Sequence, residues 1–105
     1  MDCRSGAGVP REEPMSKEQR IIYFSGHVQG VGFRYTAIRA AQGYDVTGYV
    51  ENLSDGRVEC VVEGEAAQID AFLADLDAQM GSYIHNRTVQ VAPCSGRFNH
   101  FGVQF

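Results

Sequence analysis

With 105 residues, 44% of them hydrophobic and 21% charged, the chain has the size and composition of one globular domain. A domain of this length hides about 65% of its unfolded surface, enough for one core and too little for a multi-layer enzyme with an internal cofactor domain. The net charge is −4, and residues 21–105 carry all of it with five Arg, no Lys and nine acidic residues. Such a body is a poor counter-ion for a nucleic-acid backbone, so any anion site has to be local, built from one or two Arg and backbone N–H groups.

No apolar run approaches the ~18 residues of a membrane-spanning helix. Cys3, Cys60 and Cys94 are odd in number and far apart, which argues against a disulfide framework. The N-terminus lacks the apolar run of a signal peptide, and a reducing cytoplasm is the expected compartment.

Residues 1–20 combine Gly6, Gly8, Pro10 and Pro14 with many charges and few large apolar side chains. They read as a disordered extension, leaving the folded domain to 21–105. Met15 heads a charged run before the first apolar strand and is the expected natural start. Ile21 to His27 is β-branched and aromatic, a strand that gives way to a loop at Gly26 and Gly30. From Phe33 the period becomes helical, with Ala37, Ala41 and Tyr44 following and Gly43 as a stop.

Val46 to Val50 reads as a second strand and Val58 to Glu63 as a third. Ser54-Asp55-Gly56 between them is a tight-turn signal, making a hairpin. Glu65 to Met80 is the clearest helix, with Ala66, Ile69, Phe72, Leu73, Leu76 and Met80 on one face and Gly81 closing it. Tyr83 to Val91 and Phe98 to Phe105 read as closing strands split by Pro93-Cys94-Ser95-Gly96. The order β-α-β-β-α-β is the split βαβ pattern of an α+β fold, a mixed sheet with both helices on one face.

Chemistry concentrates in Gly26-His27-Val28-Gln29-Gly30-Val31-Gly32-Phe33-Arg34. Glycines between a strand end and a helix start let backbone N–H groups converge on a ligand, and the helix N-terminus adds unpaired donors and partial positive charge. Arg34, in the first helical turn, can fold its planar fork onto phosphate oxygens. On these grounds alone a plain turn is as good a reading as a phosphate cradle. Other phosphate signatures fail: there is no GxxxxGK[ST], and Tyr35 stands where the last Gly of GxGxxG belongs. His27, His85 and His100 lack metal-ligand spacing, and Cys60 and Cys94 read as core or edge residues. The third strand, Arg57-Val58-Glu59-Cys60-Val61-Val62, lacks the aromatics of an RNA-reading sheet.

The 26–34 segment resembles the signature of the acylphosphatase family. A second family block, Gly-Tyr-Val-x-Asn-x-x-x-Gly-x-Val, is matched by Gly48-Tyr49-Val50-Glu51-Asn52-Leu53-Ser54-Asp55-Gly56-Arg57-Val58 at the right separation. The resemblance spans Ile21 to Phe105; the 1–20 extension lies outside it, and Gly32 stands where relatives can hold an aromatic residue. It implies a ferredoxin-like α/β sandwich and a hydrolase that splits acyl phosphates into carboxylate and inorganic phosphate, without metal or cofactor. Arg34 matches the family's phosphate-binding Arg and Asn52 the residue that orients the attacking water. Gln29, Gly30, Val31, Gly32 and Phe33 match the phosphate-holding loop and the helix start that follows it. The expected partner is a small acyl phosphate, with no nucleic acid or membrane and the protein a monomer. Three other readings remain: a module that binds without turnover, as within larger carbamoyl-transfer proteins; a nucleic-acid-binding domain of this topology; and a purely structural one in which Arg34 is a solvated charge and Asn52 a turn residue.

Overall fold

The computed structural model describes residues 17–104. In chain order they form β1 (Lys17–Gly26), α1 (Phe33–Ala41), β2 (Val46–Asn52), β3 (Val58–Glu65), α2 (Ala66–Met80), a short 3₁₀ turn (Gly81–Tyr83), β4 (Ile84–Pro93) and β5 (Phe101–Gln104). The five strands make one sheet in the order β4-β1-β3-β2-β5. β1 pairs antiparallel with β3 on one side and β4 on the other, β2 pairs antiparallel with β3, and β5 joins β2 in parallel. Two βαβ units therefore interleave, each receiving a strand of the other between its own pair. This is the expected ferredoxin-like sandwich, with a fifth strand added at the β2 edge.

Strand alternation sets the layers. Ile22 and Phe24 of β1, Val46 and Val50 of β2, and Val58, Cys60 and Val62 of β3 are buried on one face. Phe33, Ala37, Ala40 and Ala41 of α1 and Ile69, Phe72, Leu76 and Met80 of α2 close over them. Phe72 also meets Phe101 of β5 edge-on at 5.3 Å between ring centroids.

The expected boundary at residue 20 falls inside β1. Lys17, Glu18, Gln19 and Arg20 pair with Glu65 through Val62 of β3, so they belong to the sheet and not to an extension. Their charge has partners within the fold: Arg20 Nε donates to Glu18 at 2.7 Å, and its Nη1 reaches Asp70 on α2. The expectations for 1–16, including a start at Met15, lie outside the described residues. The segment expected as strand from Tyr83 begins with the 3₁₀ turn instead, and the last strand starts at Phe101, three residues later than expected.

Gly48 explains one residue of the second sequence block. Its φ is 140°, and a Cβ there would stand 1.9 Å from the Val61 carbonyl oxygen. Its N–H donates to the His100 carbonyl at 3.0 Å, just before β5 pairs onto β2.

One register position from Gly48, on the face away from the helices, sits Glu63, 2% exposed. Its carboxylate accepts from Gln19 Nε2 (2.6 Å), Ser95 Oγ (2.7 Å), Ser95 N (2.9 Å), Gly96 N (3.1 Å) and Cys94 Sγ (3.2 Å). Burial works to raise this carboxyl, but the bonds from Ser95, Cys94 and Gln19 outweigh it and hold it at about 2. The β4–β5 connection is thereby pinned to β3 by a charge.

Two outcomes follow. Gly48→Ala should cost at least about 3 kcal/mol in urea unfolding, the upper end for either backbone strain or overpacking alone. Glu63→Gln should cost about 2 kcal/mol at pH 7, since it withdraws a charged acceptor from buried donors. Because folding depresses the Glu63 pKa, its contribution is complete above the ordinary carboxylate value of 4.5 and fades as pH falls towards 2. The variant should therefore lose less stability than wild type across that window.

Candidate active site

β1 ends where its pairing with β4 shifts register between Ser25 and Gly26. The His27 N–H then donates to the Tyr83 carbonyl at 2.9 Å. Val28 is fully buried, and Phe33 is nearly so, packed on Phe24 with ring centroids 5.1 Å apart. Between these two anchors Gly30, Val31 and Gly32 are exposed and Gln29 half-buried. The short span is stretched over the core with its backbone at the surface.

Gly32 is the N-cap of α1 in the left-handed conformation, φ 79° and ψ 20°, and its carbonyl accepts from Thr36 N at 2.9 Å. No side chain caps the helix, and its first turn holds no acidic residue. The start of α1 thus presents backbone donors and the positive end of the helix dipole with no local carboxylate to compete for them. That is the physical requirement for an anion site.

A cavity of about 300 Å³ opens here. Gly30, Gly32, Phe33, Arg34 and Asn52 line it together with Val28, Tyr35, Ile38 and Val103. Arg34 is half-buried in the first turn of α1. Asn52 is the last residue of β2, paired with Val58 across the hairpin. Its Oδ1 is buried and, alone among the buried side-chain polar atoms of the described residues, has no hydrogen-bond partner. An unmatched buried acceptor costs about 1–3 kcal/mol, which marks it as a group kept for something other than stability.

Of the residues singled out in the sequence, Gly30, Gly32, Phe33, Arg34 and Asn52 come together around this cavity. Val31 does not line it, and neither does Gln29, whose side chain turns to the β2–β3 turn. His27 is exposed, its ring edge-on to that of His85 at 5.4 Å. Cys60 is fully buried in the core, and Cys94 donates to Glu63. Among the described residues no three of His, Cys, Asp and Glu gather in a way that could hold a metal ion.

Tyr35, Ile38 and Val103 were not anticipated. Ile38 had a signal, since it follows Arg34 by one helical turn and shares its face. Val103 had none: only the parallel pairing of β5 sets it beside Val50 of β2.

The acylphosphatase family model matches residues 20–103. The chain belongs to the acylphosphatase family. It is 40% identical over 85 residues to the acylphosphatase of Syntrophotalea carbinolica, covering 80% of this chain and 92% of that one. The crystal structure of the acylphosphatase from Bacillus subtilis superposes with a TM-score of 0.75 at 27% identity, over 84% of this chain and 99% of that one. The HypF of T. kodakarensis contains a similar unit, with a TM-score of 0.69 at 32% identity, covering 88% of this chain and 12% of that much longer one. The activity of this chain is hydrolysis of acyl phosphates.

A side chain at Gly32 would meet no atom within 4 Å, so its constraint is conformational and not steric. Gly32→Ala should cost about 1–2 kcal/mol for the left-handed backbone, and Gly32→Asn less, because Asn visits that region readily. Thermal or urea unfolding of both variants checks the order.

Proposed function

We propose that the acylphosphatase reaction of this chain is carried by Arg34, Asn52 and the backbone N–H groups of residues 29–33. The observation that carries the proposal is the partnerless Asn52 Oδ1 beside the cavity it shares with Arg34 and the start of α1. In the proposed complex the phosphoryl group lies on the loop and helix N-terminus with Arg34 across its oxygens. Asn52 Oδ1 accepts one hydrogen of a water and turns its lone pair towards phosphorus. Water oxygen bonds to phosphorus as the bond to the acyl oxygen breaks. The carboxylate departs, and the water's second proton passes to a phosphoryl oxygen.

No strong acid is needed, because a carboxylate is a good leaving group, and no base beyond the substrate's own oxygens. Phosphoryl transfer of this kind rests on position and charge stabilisation. Tyr35, Ile38 and Val103 supply an apolar wall for the acyl part.

The substrate is a small molecule and the working form a monomer: every group assigned a role comes from one chain. The sheet face away from the helices does not suit a nucleic acid. Its two tyrosines, Tyr23 and Tyr49, both donate to the Glu59 carboxylate between them at 2.9 Å. The free thiols of Cys60 and Cys94 fit a reducing cytoplasm.

Turnover of a synthetic acyl phosphate, with a phosphate monoester as control, tests the roles. Arg34→Ala should damage KM and kcat together and weaken competitive inhibition by inorganic phosphate. Asn52→Ala should lower kcat by about 10²–10³ and leave phosphate inhibition nearly unchanged, the signature of an interaction made only in the transition state. Equal loss of phosphate inhibition in both variants would contradict the division of labour.

A further inference from the structure

We propose that Gln29 is a positioning residue whose side-chain amide ties the phosphate loop to the turn that carries Asn52, so that the attacking water is aligned with the bound phosphoryl group. The inference rests on the role proposed for Asn52 and assigns Gln29 a task separate from phosphate binding.

The Gln29 Nε2 donates to the Leu53 carbonyl at 2.7 Å and to the Arg57 carbonyl at 3.0 Å. Both partners are acceptors, so the amide must face them with its nitrogen, and both of its N–H bonds are used. Leu53 follows Asn52 directly. Leu53 and Arg57 are also the two residues that close the turn, Leu53 N donating to the Arg57 carbonyl at 2.8 Å. The turn is tied internally as well: Gly56 N donates to the Leu53 carbonyl at 3.2 Å, and Asp55 accepts from Arg57 N at 3.1 Å and Arg57 Nε at 2.8 Å. Gln29 therefore grips a stiff unit, and what holds that unit holds the end of β2.

The other end of the connection is the loop itself. Gln29 lies between buried Val28 and exposed Gly30, at the start of the span proposed to hold the phosphoryl group. One side chain thus fixes the distance between the phosphate-holding backbone and the residue that holds the water. In-line attack demands that register, since a misplacement of about 1 Å can cost about a hundredfold in rate. A residue that bound phosphate through its side chain would point into the cavity; this one points away from it, into the turn.

The test is a kinetic cycle on the full chain with a synthetic acyl phosphate and inorganic phosphate as inhibitor. It uses wild type, Asn52→Ala, Gln29→Met and the double variant. Gln29→Met keeps length and packing and removes both donors; Gln29→Asn, an amide too short to reach, should behave alike if the Met variant folds poorly. The expected result is a fall in kcat of roughly ten- to a hundredfold with the phosphate inhibition constant within about twofold of wild type. In the Asn52→Ala background Gln29→Met should add less than about threefold, because a tether has nothing left to position. Full multiplication of the two effects, or a phosphate constant that rises in step with the loss of kcat, overturns the proposal. Asn52→Ala slowed while Gln29→Met is normal overturns the tether alone; Asn52→Ala at wild-type rate overturns the Asn52 role and the tether with it.

Discussion

Two buried side chains five residues apart govern this molecule. Val28 and Phe33 are sunk in the core, and the chain between them has no room to bury its own backbone. The span cannot relax inward, because Phe33 is held against Phe24 of β1, itself paired on both sides. It cannot extend outward, because α1 begins at Phe33. What remains is a strip of surface backbone ending in the open first turn of a helix, with an arginine as the next residue. The proposed anion site is thus a consequence of joining a central strand to a helix over a short distance. In the proposed site an acidic chain would recognise an anion by local geometry, with the net charge of −4 only as a background.

The sheet treats its two ends in opposite ways. At one end, the proposed phosphate loop and the uncapped start of α1 border an open cavity. At the other, five donors converge on the Glu63 carboxylate, an anion that the chain supplies itself. Both ends bear on β5. The Glu63 hub fixes the connection that leads to it, and the parallel pairing of β5 with β2 carries Val103 to the cavity wall. A domain of this size has little core to spare, and charged hydrogen bonds do work that apolar burial would do in a larger one.

Much of this was legible from periodicity. The β-α-β-β-α-β order follows from strand alternation, the helical repeat through Ile69, Phe72 and Leu76, and the Ser54-Asp55-Gly56 turn, all of them local signals. The glycine-rich segment and the Asn52 block were legible as motifs. The start of β1 was not, because Lys17 to Arg20 look like a solvated charge run until Glu18 and Asp70 are seen to satisfy Arg20. Asp70 is 50 residues away in sequence, and no window of local pattern contains both. Glu63 was hidden for the same reason: its donors come from β1 and from the connection after β4. Gln29 was found as part of a motif and given the motif's role; its side chain answers to Leu53 and Arg57, a relation that only the folded chain displays.

The central claim is that phosphate lies on the backbone of residues 29–33 and Arg34, at the β1–α1 end of the sheet. Titrating the isotopically labelled protein with inorganic phosphate, and following its amide and arginine N–H resonances, tests that claim directly. The account predicts saturable shifts concentrated at Gly30 to Phe33 and at the Arg34 side chain, with Ser95 and Gly96 at the Glu63 end unmoved. Saturable shifts centred on 94–96, or at Arg57 and Arg97 with the 29–33 amides unchanged, would contradict it.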